Sequence, residues 1–256
     1  MKSSEYFHAL REILTRIESE QADAIHRAGG MVAAAIAGGG IVHSFGSGHS
    51  HMISEEVFYR AGGFAPVSAI LDPRLLFLDG APESTSAERE SGYAQKLLSQ
   101  QNFCPEDAAI IISNSGRNAV PIEMALGMKA RGIKKLIAIT NLAQSTQSTS
   151  RHASGKRLFE LVDLVIDNCV PEGDAALEIP GSSQKIGPTS TVAGAAIINA
   201  IMIEAAADLQ QRGLTIPVFP SVNMESSTGQ SLEAVLAEWA PRIPLFRASS
   251  QAVKED

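Results

Sequence analysis

Ile41-Val-His-Ser-Phe-Gly-Ser-Gly-His-Ser50 is the stretch on which the reading of the whole chain turns. Ile41 to Phe45 is a short β-type run, Gly46 and Gly48 free the backbone to turn, and His49 to Arg60 has helical composition. The stretch predicts a strand, a tight turn and the start of a helix. Such a turn aims backbone N–H groups outward, where the helix adds partial positive charge, so it favours an anion of phosphate size. Ser47 and Ser50 add small hydroxyl donors that do not block the approach. Taken alone, a Gly-Ser-Gly turn is equally a plain βα connection. Two further hydroxyl-rich junctions tip the reading towards the anion.

The second junction is Ser113-Asn-Ser-Gly-Arg-Asn118. It follows the continuous apolar run from Asp107 to Ser113, which predicts a strand buried on both faces of a parallel sheet. It precedes a helix over 119–130, with Pro121 in the first turn, where its missing N–H costs little. The third, Gly187-Pro-Thr-Ser-Thr191, opens a helix from Val192 to Gln211 that Gly213 closes. Further strands are expected at 66–71, 135–140 and 164–168. Strands alternating with helices predict an α/β fold with a doubly wound parallel sheet and a ligand at the strands' carboxyl ends.

Ahead of the first strand, residues 4–37 read as one or two helices, with Phe7, Leu10, Leu14, Ile17 and Gln21 in a 3-4-3 spacing and a break at Gly29-Gly30. Residues 72–92, rich in Asp, Pro, Glu and Ser, read as a surface excursion over the site, and a helix returns around 86–101. Gln144 to Ser150 reads as a polar connector, Leu158 to Leu161 as a short helix, and Ser231 to Ala240 as a helix in the tail beyond Pro217 to Asn223. The expected division is a helical leader over 1–39 packing on the domain or a dimer partner, a ligand-binding domain over 40–213 and a helical extension over 214–256.

The 256 residues, 45% of them hydrophobic, can bury a full core, and a mean hydropathy of +0.05 is that of a globular chain. Gly or polar residues interrupt the apolar runs, so no membrane span is expected, and Met1 to Glu5 lack the apolar core of a signal peptide. The expected compartment is the cytoplasm. A net charge of -7 and a pI near 5.4 argue against a nucleic-acid surface. Cys104 and Cys169 form neither a disulfide framework nor a metal-ligand spacing. The first loop lacks the third glycine of a dinucleotide fingerprint and no phosphate-loop lysine follows, so neither NAD nor ATP, and no other cofactor, is expected.

Together, Gly46-Ser-Gly-His-Ser50, Ser113-Asn-Ser-Gly-Arg-Asn118 and Gly187-Pro-Thr-Ser-Thr191 resemble the signature segments of the SIS (sugar isomerase) domain, a resemblance that covers roughly residues 35–212. It implies a five-stranded parallel sheet sandwiched by helices that acts on or senses phosphosugars, usually as a homodimer or homotetramer with sites near the subunit interface. It further implies phosphosugar contacts at Gly46, Ser47 and Ser50, at Ser113, Asn114, Ser115, Gly116, Arg117 and Asn118, and at Thr189, Ser190 and Thr191. The second loop most resembles the family's phosphate cradle.

An aldose–ketose isomerase needs a base that carries a proton between adjacent carbons through an enediol, and an acid–base group that opens the ring. Glu55 or Glu56, with His49 and His51, are the candidates near the first loop; the two carboxylates point about 100° apart on a helix, so at most one faces the site. His152 and Glu225 are further candidates of lower rank. His49, His51 and Glu55 also offer metal donors, but not in the spacing of a zinc hydrolase, and no metal is expected. The expected function is a phosphosugar isomerase, with a non-catalytic sensor or a related lyase or etherase as the alternatives. A leader of about 40 residues that is not strongly basic speaks against a DNA-binding regulator.

Overall fold

A computed structural model describes residues 1–220 and 231–247. Two helices, α1 (Lys2–Glu20) and α2 (Ala22–Ala37), lead into β1 (Val42–Gly46) and the short α3 (His51–Glu56). β2 (Val67–Ile70), α4 (Ala81–Ala87) and α5 (Tyr93–Ser99) follow, then β3 (Ala108–Ile112), α6 (Ala119–Ala130), β4 (Leu136–Thr140), α7 (Leu142–Gln147) and β5 (Leu164–Asp167). A two-stranded antiparallel hairpin, β6 (Ala175–Leu177) and β7 (Ile186–Pro188), feeds the long α8 (Ser190–Gln211), and α9 (Leu232–Trp239) lies in the tail.

The five main strands form one parallel sheet in the order β2-β1-β3-β4-β5. Side chains alternate across it. Ile110 and Ile112 face a core shared with α2, α3 and α8, whereas Ala109 and Ile111 face a second core built with α5 and α6. Burial on both faces explains the unbroken apolar run in β3, where each buried isoleucine contributes about 1.5–3 kcal/mol. β2 and β3 flank β1 on opposite sides, so strand order reverses between β1 and β3, and a crevice opens there at the carboxyl ends.

Several expectations are corrected. Gly29-Gly30 does not break a helix: α2 runs through both, and the break falls at Gln21. A Cβ on Gly29 would lie 2.4 Å from Glu204 Cβ, so this glycine lets α2 press directly onto α8. The stretch 144–150 is not a plain connector. Most of it lies in α7, whose first turn is fixed by the Asn141 side chain accepting the Gln144 N–H at 3.0 Å. The helix after the first loop ends at Glu56 rather than Arg60, because the chain turns through Tyr59 at φ +47°. The β6–β7 hairpin was not anticipated. α8 is long and apolar enough to cross a membrane by length and composition; here Ile197, Ile198, Ile201 and Ala205 pack into the core against α2. The tail segment up to Asn223 runs partly outside the described residues.

Candidate functional site

The first loop is possible only with glycine at its base. A Cβ on Gly46 would lie 2.3 Å from the Ser50 carbonyl oxygen, and Gly48 sits at φ +54°. The chain thereby folds back in a single 3-10 turn over Gly48–Ser50. Much of this loop's backbone is spent internally: the Gly48 N–H donates to Leu75 O at 2.9 Å and the Ser50 N–H to Ser47 O at 3.1 Å. What the loop presents is side chains.

The second loop presents backbone. Ser113 Oγ accepts the Gly116 N–H at 3.2 Å, which holds the turn. Among the described residues, the N–H groups of Ser115, Arg117 and Asn118 donate to no protein acceptor. They stand at the N-terminus of α6, the twelve-residue helix that follows β3. Free amides at a helix start, beside the half-buried Ser115, are groups that suit an anion.

A carboxylate the sequence did not single out ties the two loops together. Glu88 Oε1 accepts from Ser47 Oγ and Glu88 Oε2 from Asn118 Nδ2, both at 2.7 Å. Asn118 Oδ1 in turn accepts from Arg151 Nη1 at 2.9 Å, and the Glu88 carbonyl accepts the Val120 N–H at 3.1 Å. Glu88 follows α4 in the excursion over 72–92, where a run of Ser and Glu reads as solvent-facing surface. It lies 41 residues from Ser47 and 30 from Asn118, a distance no local spacing rule spans.

On the α3 and α8 side of the crevice, His49 and Ser50 of the first loop, Asn114 of the second, Asn168 beyond β5, and Ser190 and Thr191 of α8 line one narrow hollow of about 10 Å³ over an apolar floor of Ile53, Ile112 and Ile139. Asn168 Nδ2 donates to Asn114 Oδ1 at 2.8 Å, fixing the amide at its edge. All three junctions therefore meet.

The third junction departs from expectation in one respect. Asp174 accepts the N–H groups of Thr189 at 2.9 Å and Ser190 at 2.7 Å, and the Ser190 hydroxyl at 2.7 Å. An internal carboxylate already occupies the N-terminus of α8, and the Thr189 side chain, fully buried, also turns to Asp174. Thr189 does not line the hollow; Thr191 and Ser190 do.

Of the proposed acid–base residues, His49 lines the hollow, with its ring centroid 4.8 Å from that of Phe77. His51 is buried: its Nδ1 bonds the Gly48 carbonyl and its Nε2 lies 3.8 Å from Glu55. Glu55 is exposed, and Glu56 is spent on Arg60 and on Asn199 Nδ2, the latter at 2.9 Å. Neither glutamate lines the hollow. His152 bonds Ser154 Oγ at 2.8 Å and lies 3.7 Å from Glu123, while Glu225 lies outside the described residues. Among the described residues no three His, Cys, Asp or Glu side chains are gathered as a metal site. Burial pushes the Cys169 thiol up to about 11, the value of an unreactive thiol.

Sheet order, crevice and converging loops define a sugar isomerase-type α/β domain. The chain belongs to the SIS domain family, which it matches over residues 5–141. Its full-length relatives are UPF0309 proteins. It is 43% identical over 243 residues to one from Geobacillus kaustophilus, covering 95% of this chain and 96% of the relative. It is 40% identical over 241 residues to one from Listeria monocytogenes, covering 94% and 97%. Among solved structures, a phosphoheptose isomerase from Francisella tularensis superposes with a TM-score of 0.51 at 16% identity over 80% of this chain and 97% of that one, a likeness of fold.

Proposed function

We propose that this protein binds a sugar phosphate in the crevice between its first two loops and interconverts aldose and ketose forms. The observation that carries the reading is the clasp across that crevice: Ser47 and Asn118, one from each loop, hold the single carboxylate of Glu88 beside a cradle of free amides. In this reading the phosphate sits on the amides of Ser115, Arg117 and Asn118 with the Ser115 hydroxyl, and the sugar extends towards the hollow lined by His49, Ser50, Asn114 and Thr191.

Isomerisation removes a proton from the carbon beside the carbonyl and returns it to the neighbouring carbon. Glu88 is the carboxylate best suited to carry it, in preference to Glu55 and Glu56. Two hydrogen bonds fix the direction of its lone pairs, as a base acting on one defined C–H requires. His49, at the mouth of the hollow, is suited to ring opening. Exposed Phe7 and Leu14 on α1 and Val192 and Ile203 on α8 offer apolar surface for a second copy, in keeping with a cytoplasmic homodimer.

Incubation with a panel of aldose and ketose phosphates in deuterated water tests the reaction. An isomerase incorporates deuterium at the carbon beside the carbonyl. Binding without exchange across the panel would make the protein a sensor, and binding of none would remove the sugar phosphate from the account.

A further inference from the structure

Resting on that reading, we infer that the ligand carries a second acidic group, received by Arg89, Arg117 and Arg151 at the far end of the second loop. Seven of the thirteen arginines of this acidic protein reach a carboxylate: Arg16, Arg27, Arg60, Arg74, Arg157, Arg212 and Arg242. Among the described residues, Arg11, Arg131 and Arg247 reach none, and Arg131 and Arg247 turn instead to backbone carbonyls; Arg89, Arg117 and Arg151 also reach none, although acidic side chains outnumber basic ones by 28 to 21 over the chain.

These three are neighbours in space. The Arg151 N–H donates to Arg117 O at 2.8 Å, and Arg151 Nη1 bonds Asn118, the residue that also holds Glu88 beside Arg89. Arg117 Nε is buried without a partner. Burial, then repulsion from Arg117 and Arg89, holds the Arg151 guanidinium below its ordinary value, with Glu88 as the one opposing charge. Glu88 is already committed to Ser47 and Asn118. Arg89 and Arg151 are exposed and water screens their repulsion; the half-buried Arg117, whose Nε lacks a partner, is the group to which an anion would supply one.

The geometry also separates this anion from the first. Asn114, near the start of the loop, looks into the hollow, whereas Arg117 and Asn118 at its end meet Arg151. Of the cradle amides, that of Ser115 lies between them, and those of Arg117 and Asn118 belong to the far end itself. A sugar phosphate with a carboxylate or a second phosphate engages both ends of one turn, and a planar guanidinium fork suits either group.

Calorimetric titration at fixed ionic strength with two matched pairs tests this: glucose 6-phosphate against 6-phosphogluconate, and fructose 6-phosphate against fructose 1,6-bisphosphate. We expect at least one two-acid ligand to bind about tenfold or more tighter than its counterpart, and the R89Q/R151Q double variant to lose most of that advantage. The carboxylate and phosphate arms report which acid is preferred. Equal affinity within both pairs, or an advantage that survives in the double variant, overturns the second subsite while leaving the cradle intact. Binding of none of the four overturns the cradle and the subsite together. If the double variant does not fold, the exposed single variant R151Q carries the same test, with loss of the two-acid advantage expected and its survival overturning the subsite.

Discussion

Two side chains carry most of the chemistry proposed for the crevice, and each has its own test. Ser115 is half-buried beside free amides, so Ser115→Glu brings a carboxylate to where the phosphate would sit. Repulsion of several kcal/mol at a few ångströms predicts a loss of sugar-phosphate affinity of at least about 100-fold with an unchanged melting temperature. Unchanged affinity in the titration would exclude this loop as the cradle. Glu88→Gln keeps a carbonyl oxygen for Ser47 but removes the base. Deuterium exchange should fall by about 10²–10⁴-fold while binding persists. Exchange at the wild-type rate would return the role to another group. Ser115 was legible in the sequence because a strand, a hydroxyl-rich turn and a helix follow one another within a few residues. Glu88 was not, because its partnership with Ser47 and Asn118 exists only after the sheet has formed.

At the scale of elements, paired helices reverse what local propensity says. Gly29 and Gly30 are adjacent in one helix, and in isolation alanine should stabilise both by up to about 1 kcal/mol. Gly29→Ala instead forces a Cβ to within 2.4 Å of Glu204 Cβ, and urea unfolding should show a loss of about 1–3 kcal/mol. At Gly30 the nearest atom to a new Cβ is Asp208 Oδ2 at 3.6 Å, an ordinary contact, so Gly30→Ala should stabilise the protein. Equal effects of one sign at both sites would refute the close α2–α8 contact. The two glycines looked like a helix break because their small size is a property of the interface with α8, 175 residues further on, and not of the local chain. Likewise 144–150 looked like a solvated connector until Asn141 was seen to cap it, and the β6–β7 hairpin gave no alternating pattern to read. β3, by contrast, was legible from its continuous apolar run, since both its faces are covered.

Across the whole molecule, the proposed ligand site and a buried latch lie at opposite ends of the sheet. At the amino end, beneath β1 and β3, buried Asp107 accepts from His43 Nε2 at 3.0 Å, from the Ile41 and Cys104 N–H groups, and from Arg242 beyond α9. Burial alone would push the Asp107 carboxyl up. The bonds from His43, Ile41 and Cys104 outweigh it and hold the group below its ordinary value. A depressed folded value means that this stabilisation is complete above the unfolded value of about 3.9 and is lost as the pH falls through the lower folded value. Asp107→Asn should cost about 3–5 kcal/mol at neutral pH and flatten the acid limb of a stability-against-pH curve. An unaltered limb would show that the latch does not govern acid unfolding. With the amino end fixed in this way, the carboxyl end is free to bind. The most direct measurement of the central claim is diffraction from crystals soaked with a panel of sugar phosphates. A phosphorus atom is expected within hydrogen-bonding reach of Ser115 and the first amides of α6, with the sugar reaching towards Glu88. A phosphate bound elsewhere while these amides stay empty would contradict it.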